Sequence, residues 1–284
     1  MTALPTVQRT LLNVRAVLQD AEGFRWSDAT LIEYLNQGAL EIARRPRSDA
    51  ASTRATVTLE TDSALHDVLP ADAIGLIDVV RNIPSNAAVL EASLLAIGTD
   101  NRNWMGSTPE ADILNWLQHP TEPTRFYSYP RAAGSAQVEV IYARVPPRMI
   151  LREFTAPADV DTGLHTLTIA GHGLSGGERV LLPRPTSPDA LPGNVPADTV
   201  LYVIVDDPDT LALALAPGQG RINFSSAGSG VLTVDSVLSV LAKYQFPLQL
   251  FVAGNALLED KPEADTPRGE RYLNTFYAAL GGRG

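Results

Sequence analysis

The chain has 284 residues, of which 45% are apolar and 19% charged, so a packed core is expected and disorder is not. It carries a net charge of −10 and no cysteine, which excludes disulfide scaffolds and thiolate metal sites. No apolar run approaches the ~18 residues of a membrane span, and Gln8, Arg9, Asn13 and Arg15 interrupt any signal-peptide-like stretch.

The acidic excess is unevenly placed. Residues 1–46 hold five basic and five acidic side chains, as do residues 237–284. Residues 47–150 hold eight basic against twelve acidic, and 151–236 four against ten. Only two lysines occur, Lys243 and Lys261. Such a surface repels phosphates rather than gripping them, which argues against ordinary DNA binding.

Two helices open the chain. Val7, Leu11, Val14 and Leu18 give the first an apolar stripe, closed by Glu22-Gly23. Ser27 is placed to cap the second, and Trp26 and Leu31 have the spacing of a hydrophobic staple. Leu31, Leu35, Ala39 and Ile42 recur at helical period, Arg44 and Arg45 complement the dipole of the last turn, and Pro46 stops the helix. Ala55–Leu59 reads as a strand, and Ile74–Val80 as a strand or a strand followed by a turn of helix. A polar loop around Asn103-Trp104-Met105-Gly106 follows. Arg125–Pro130 and Gln137–Tyr142 then read as a β-hairpin, with Val138, Val140 and Tyr142 alternating against Gln137 and Glu139.

The composition shifts at Pro146-Pro147. Leu164–Ala170, Glu178–Pro183, Thr199–Asp206, Thr210–Leu215 and Gly230–Asp235 are short strands separated by turn residues, the pattern of a small barrel or sandwich. Helices return with Leu248, Phe251, Val252, Asn255 and Leu258 on one side, and Pro247 at the start or at a kink. Thr266-Pro267 reads as a cap and first position of a last helix. Its stripe is Tyr272, Leu273, Phe276, Tyr277 and Leu280, and it stops at Gly281-Gly282.

The expected fold is α+β. N- and C-terminal helix pairs form a helical bundle whose packing core includes Trp26, Leu31, Leu35, Ile42, Phe251 and Phe276. Residues 1–150 supply helices and a β region, 151–236 an inserted all-β module, and 237–284 the helices that complete the core.

The stretch Ala170–Glu178 matches G-x-G-x-x-G through Gly171, Gly173 and Gly176, and G-x-S-x-G through Gly173, Ser175 and Gly177. Leu174–Glu178 is also close to the signature segment of ABC transporter ATPases. Each pattern needs a following helix, yet Arg179–Pro183 reads as a strand, and no G-x-x-x-x-G-K-S/T loop occurs. A glycine-rich hairpin loop is the better reading. His165, His172, Asp159 and Asp161 lack calcium-loop or H-x-x-x-H spacing and read as surface loop residues. Trp104 and Trp116 read as buried rather than as sugar-stacking platforms. No catalytic, metal or cofactor-binding constellation is expected.

The order of these pieces resembles the head-to-tail adaptor proteins of tailed bacteriophages, including the tail tubular protein A of short-tailed phages. The matching residues run from Arg25-Trp26 through Leu31, Leu35-Asn36 and Glu41-Ile42 to Arg45-Pro46, then Leu69-Pro70-Ala71-Asp72 and Leu76-Ile77-Asp78-Val79 with Asn82. Asn103-Trp104, Phe126-Tyr127 to Pro130, Val138-Glu139-Val140 and Tyr142-Ala143 follow, and then Tyr244, Ala256-Leu257, Asp260 and Tyr272–Phe276. Residues 151–236 depart from the plain members. They resemble a β-module that recurs as an appendage in phage structural proteins, through His165, His172-Gly173-Leu174, Gly177, Val180, Leu191-Pro192, Tyr202-Val203 and Gly228-Ser229-Gly230. The resemblance implies a non-enzymatic virion protein of the neck, made in the host bacterial cytoplasm. It would form a ring, commonly of twelve copies, docked on the portal protein and joined below to a tail nozzle or other tail protein, with genomic DNA passing through its centre and no membrane involved. It places portal contacts at the C-terminal end, with Arg268, Arg271, Tyr277 and Arg283 as the partner-binding residues. The alternative is a carbohydrate-binding or adhesin-type tail protein acting through 151–236, with Tyr202 as the residue to test.

Overall fold

The computed structural model describes residues 4–59, 67–134, 136–259 and 265–281; Asp260, Lys261, Gly282 and Arg283, named above, lie outside them. The described chain is mixed α/β with five α-helices and several sheets, in two compact units: Met1–Ala39 with Pro147–Gly284, and Leu40–Pro146. None of its helices is long and apolar enough to cross a membrane.

Helix α1 (Val7–Leu18) is capped by Thr6, whose hydroxyl accepts the Arg9 N–H at 3.3 Å. It ends at Leu18 rather than at Glu22-Gly23, because Gln19 turns into the left-handed region (φ 58°) and its N–H closes on the last turn. Helix α2 (Asp28–Ala43) starts as the sequence suggests, with the Ser27 hydroxyl accepting the Thr30 N–H at 3.1 Å. Leu31, Leu35, Ala39 and Ile42 are buried, as is Trp26 before them. Arg44 and Arg45 fall just past the last turn instead of inside it.

The unit Leu40–Pro146 contains β1 (Ser52–Thr58), β2 (Asp67–Val68), β3 (Ala73–Asn82), β4 (Leu90–Glu91), α3 (Leu94–Asp100), β5 (Asn115–Gln118), β6 (Arg125–Tyr129) and β7 (Gln137–Arg144). Its strands make a three-stranded sheet, β1-β7-β3, and a four-stranded sheet, β2-β6-β5-β4. The expected hairpin of β6 with β7 is therefore corrected: the two strands lie in different sheets. The central strand β7 is paired on both edges, with Val140 opposite Ala55 of β1 and Val79 of β3, and so has no edge left for β6. Val138, Val140 and Tyr142 are buried with Leu59, Val79, Trp116 and Phe126, the alternation read from the sequence.

Seven strands follow in the other unit: β8 (Leu151–Ala156), β9 (Val160–Asp161), β10 (Thr166–Thr168), β11 (Arg179–Leu181), β12 (Leu201–Val205), β13 (Thr210–Ala214) and β14 (Gly230–Ser236). Their order, β8-β14-β11-β12-β13-β10-β9, puts two strands adjacent in the chain at opposite edges. A turn joins them, with the Asp159 N–H on the Thr155 carbonyl (2.8 Å) and the Thr155 N–H on the Asp159 carboxylate (2.6 Å). The sheet thus curls into a nearly closed barrel around Leu167, Val180, Leu201, Leu211, Leu213 and Val234. It belongs to the same compact unit as the terminal helices. The glycine-rich stretch joins β10 to β11, which are not neighbours, so it is a crossover loop and not a hairpin loop. Gly171, Gly173 and Gly177 all have positive φ there, which a side chain would oppose.

Helix α4 (Gln245–Glu259) carries Pro247 in its first turn, where no intrahelical N–H is lost. Helix α5 (Thr266–Ala279) is capped by Asp265, one residue earlier than expected; its carboxylate accepts the Arg268 N–H at 3.3 Å and Thr266 is already helical. α4 is buried on nearly all sides, at Leu248, Leu250, Phe251, Val252, Ala253, Ala256 and Leu257. Gly254 and Gly269 bring α4 and α5 close: a Cβ added at Gly254 would lie 3.1 Å from the Gly269 carbonyl oxygen. Phe251 and Phe276 pack with ring centroids 4.9 Å apart. From the other end of the chain, the Trp26 indole N–H donates to the Ala256 carbonyl (3.1 Å), and Gly38 of α2 lies against Phe251 and Leu248. α1 also packs on α4.

Two buried charged groups fasten the N-terminal helices. Arg15 donates to the Asp20 carboxylate (3.1 Å), to the Trp26 carbonyl (3.0 Å) and to Asp28, while the Asp20 carboxylate also accepts the Trp26 N–H (3.2 Å). Removing one partner of a buried pair strands the other, so Arg15→Ala should cost about 3–5 kcal/mol in urea unfolding. Asp235 of β14 accepts the Gln8 N–H at 3.1 Å at the start of α1. Burial pushes its carboxyl up to about 6, against the opposing hydrogen bonds from Thr6, Gln8 and Val7. A raised folded pKa means that the native state holds this proton over a range where the unfolded chain has released it. The stabilising contribution is therefore complete below the ordinary carboxylate value and lost as pH rises through about 6. Unfolding free energy measured from pH 4 to 7 should fall with rising pH by roughly 2–3 kcal/mol more in the wild type than in Asp235→Asn.

Candidate interaction surfaces

Helix α5 turns one face inward and one outward. Gly269 and Phe276 are buried, whereas Pro267, Glu270, Arg271, Asn274, Thr275 and Ala278 are exposed and line an open groove of about 480 Å³. The residues expected to bind a partner divide on this geometry. Arg268 is held within the chain: its guanidinium donates to the Val17 carbonyl (2.6 Å) and to the Tyr272 hydroxyl (3.1 Å) and lies over the Tyr272 ring. Tyr277 is half-buried, edge-on to Phe276 at 5.0 Å. Arg271 is exposed, with its guanidinium 5.8 Å from the Tyr272 ring centroid, and its charge faces the groove. Arg283 lies outside the described residues. Arg268 thus ties α5 to α1, while Arg271 is presented outward.

Each unit also has a cleft of its own. In the unit of the terminal helices, Asp28, Ile32 and Glu33 of α2 face Arg148, Arg152 and the Gly171-His172-Gly173 loop across about 370 Å³. Arg148 and Glu33 approach to 3.6 Å. In the other unit, about 430 Å³ is lined by Arg44, Arg45, Arg47 and His119 together with Pro46, Leu76 and Pro123. Arg47 there is bonded to Glu91 and lies 6.0 Å from the Trp116 ring centroid.

His172 is not a surface residue. It is 2% exposed; its Nδ1 accepts the Leu174 N–H (3.0 Å), which leaves Nε2 to donate to the Asp207 carbonyl (3.1 Å). His165 accepts the Phe224 N–H at 3.0 Å. Both histidines fasten one loop to another: His172 holds the glycine loop to the turn between β12 and β13, and His165 holds the turn before β10 to the loop between β13 and β14. Among the described residues no three His, Cys, Asp or Glu side chains gather as a metal site would require. Trp104 and Trp116 are buried. Nothing in the sequence singles out Arg15 or Asp235: by the alternation of β14, Asp235 falls on the face of Val231 and Thr233, opposite the barrel-lining Leu232 and Val234, and it is buried there against the start of α1.

The model of the SU10 adaptor protein family matches residues 6–172, from the cap of α1 through β10 to the glycine loop. The chain belongs to the SU10 adaptor protein family. The match spans α1, α2, the whole Leu40–Pro146 unit and the first three strands of the barrel, so it runs past the expected boundary at residue 150. It accords with the phage-adaptor resemblance, and membership of a structural family speaks for a structural rather than a catalytic role. No curated protein matches the chain.

The two arginines of α5 should separate in a stability measurement. Arg268→Ala removes charge-assisted bonds to a carbonyl and should cost about 1.5–3 kcal/mol in urea unfolding. Arg271→Ala, on the exposed face, should stay within about 0.5 kcal/mol of the wild type.

Proposed function

We propose that this SU10-family adaptor is a virion protein of the phage neck, made in the host cytoplasm, which assembles into a ring beneath the portal and joins it to tail components. The observation that carries this reading is the family match over residues 6–172. The ring is dodecameric and its subunits meet head to tail, one face of each on a different face of the next, because only unlike faces close a ring of more than two. Genomic DNA leaves through the centre. The net charge of −10 and the scarcity of lysine support a surface that does not hold passing phosphates. Within the subunit, α1, α2, α4 and α5 form the helical bundle of the adaptor core, residues 1–150 and 237–284 make up that core, and 151–236 is an inserted module. The outward groove on α5, with Arg271, is the portal-facing surface. The adhesin alternative gains no support from Tyr202, which is half-buried on β12.

The test is to mix the purified chain with cognate portal and image the product by negative stain. A closed ring on the portal is expected, and Arg271→Glu should weaken docking at least tenfold without altering the melting temperature. A chain that stays monomeric in the presence of portal overturns the reading.

A further inference from the structure

Strand β1 stands at the edge of its sheet, paired with β7 and, among the described residues, with no other strand. The Leu59 N–H bonds the Ala136 carbonyl (2.8 Å) and the Arg144 N–H bonds the Ala51 carbonyl (3.2 Å), which fixes the phase of the ladder. Thr53, Ala55 and Val57 turn their backbone groups to β7; Ser52, Arg54, Thr56 and Thr58 turn theirs outward. The Ser52 N–H returns to the Asp49 carbonyl (3.3 Å), while the backbone groups of Arg54, Thr56 and Thr58 meet no partner among the described residues. The opposite edge of the sheet is different. β3 shifts register repeatedly, and the Asn82 and Leu76 N–H groups go to the Ala87 and Pro123 carbonyls (2.8 and 2.9 Å).

Edges of this kind recruit strands unless something blunts them, and among the described residues β1 lacks the usual devices. It has seven residues with no proline, glycine or bulge. Its one charge, Arg54, is bonded to Glu139 (3.1 Å), which also accepts from Arg81 (2.6 Å). The hydrogen bond from Arg81, followed by that from Arg54, holds the Glu139 carboxyl below the usual carboxylate range. Arg54 is thus held against Glu139 of the neighbouring strand β7 and away from the open edge.

We propose that β1 pairs with β1 of a second copy of this chain, antiparallel across a two-fold axis. The strand is complementary to itself. A register centred on Ala55 sets all seven residues opposite one another and puts the outward groups of Arg54 against those of Thr56; at each end the Thr58 N–H meets the Ser52 carbonyl, the Ser52 N–H being held by Asp49. No like charges then stand opposite each other, and the face carrying Ala55 and Val57, packed on the core of its own unit, continues into the same residues of the partner. Shifting the centre to Arg54 would oppose the two arginines and leave residues unpaired. The product is one continuous sheet, β3-β7-β1 joined to β1-β7-β3 of the second copy. Such an isologous contact closes on two copies. It therefore belongs to the free chain and does not rest on the ring reading.

Light scattering on the full chain across a micromolar to sub-millimolar series tests this. The wild type should show twice the monomer mass at the upper end. Thr56→Pro should be monomeric throughout, since the lost N–H faces away from β7 and the fold does not use it, whereas Thr56→Ala should remain a dimer. Amide exchange on the wild type gives a reading independent of the variant's folding: the Arg54, Thr56 and Thr58 amides should gain protection with concentration, while those of Thr53, Ala55 and Val57 are protected throughout. A wild type of monomer mass at every concentration overturns the proposal. So do a folded Thr56→Pro dimer and outward amides that exchange rapidly at all concentrations.

Discussion

The burial of α4 governs how this chain is put together. A helix apolar on nearly every side cannot stand at a surface, and it needs covering from several directions. Its neighbour α5 covers one side, where Gly254 and Gly269 allow the backbones to approach. The rest of the cover comes from the opposite end of the sequence, through α1, the Trp26 indole and Gly38. The N- and C-terminal segments are thereby bound together. The barrel begins at β8 and ends at β14, and the two strands pair with each other. Ile150 and Ser236 exchange bonds at their shared end, where the Ser236 N–H meets the Ile150 carbonyl and the Ile150 N–H meets the Ser236 hydroxyl, both at 3.0 Å.

The loops that fix the N-terminal pair are polar and buried. Arg15 sits beside Gly23, whose positive φ and lack of a side chain leave room for the guanidinium; a Cβ there would lie 2.9 Å from it. This gives Gly23 a purpose other than stopping α1. It shapes the connection so that one arginine can satisfy the carbonyls and carboxylates between two helices. The Asp235 carboxylate acts in the same way at the other end of α1, at the cost of desolvation that its hydrogen bonds only partly offset.

What could be read from the sequence was local. α2 was legible because its cap, staple, stripe and stop all lie within some twenty neighbouring residues and point to one answer. The alternation in β7 was legible for the same reason, but alternation fixes which face is buried and says nothing of which strand lies alongside. The misread hairpin of β6 and β7 follows from that limit. α3 has little signature in the sequence because seven residues present too little periodicity, although Ser93 caps it through the Ala96 N–H. Arg268 carries no local sign that it is held within the chain, because its acceptor, the Val17 carbonyl, lies 251 positions away. Residues whose partners are distant carry no signature of them, and the Arg15, Asp235 and Arg268 contacts are all of this kind or depend on loop geometry.

The acidic character of the barrel has a structural side that composition alone does not disclose. Asp161 accepts the Gly163 and Leu164 N–H groups, Asp207 accepts from Asp209 and Thr210, Asp209 takes the Gly171 N–H, and Asp206 pairs with Arg221. Asp161 and Asp207 thus close turns, Asp209 ties the glycine loop to the turn before β13, and Asp206 is met by an arginine. The same hydrogen bonds hold Asp161 and Asp207 below the ordinary carboxylate range, the first through Leu164 and Gly163, the second through the Thr210 hydroxyl and the Asp209 amide. Negative charge fixed in this way resists protonation and stays where the backbone places it. A flexible glutamate can swing away from an approaching anion, but a turn-closing aspartate cannot, and lysine is nearly absent from this chain. The anionic surface of the barrel is therefore a product of its turns, set by the same bonds that set the loops.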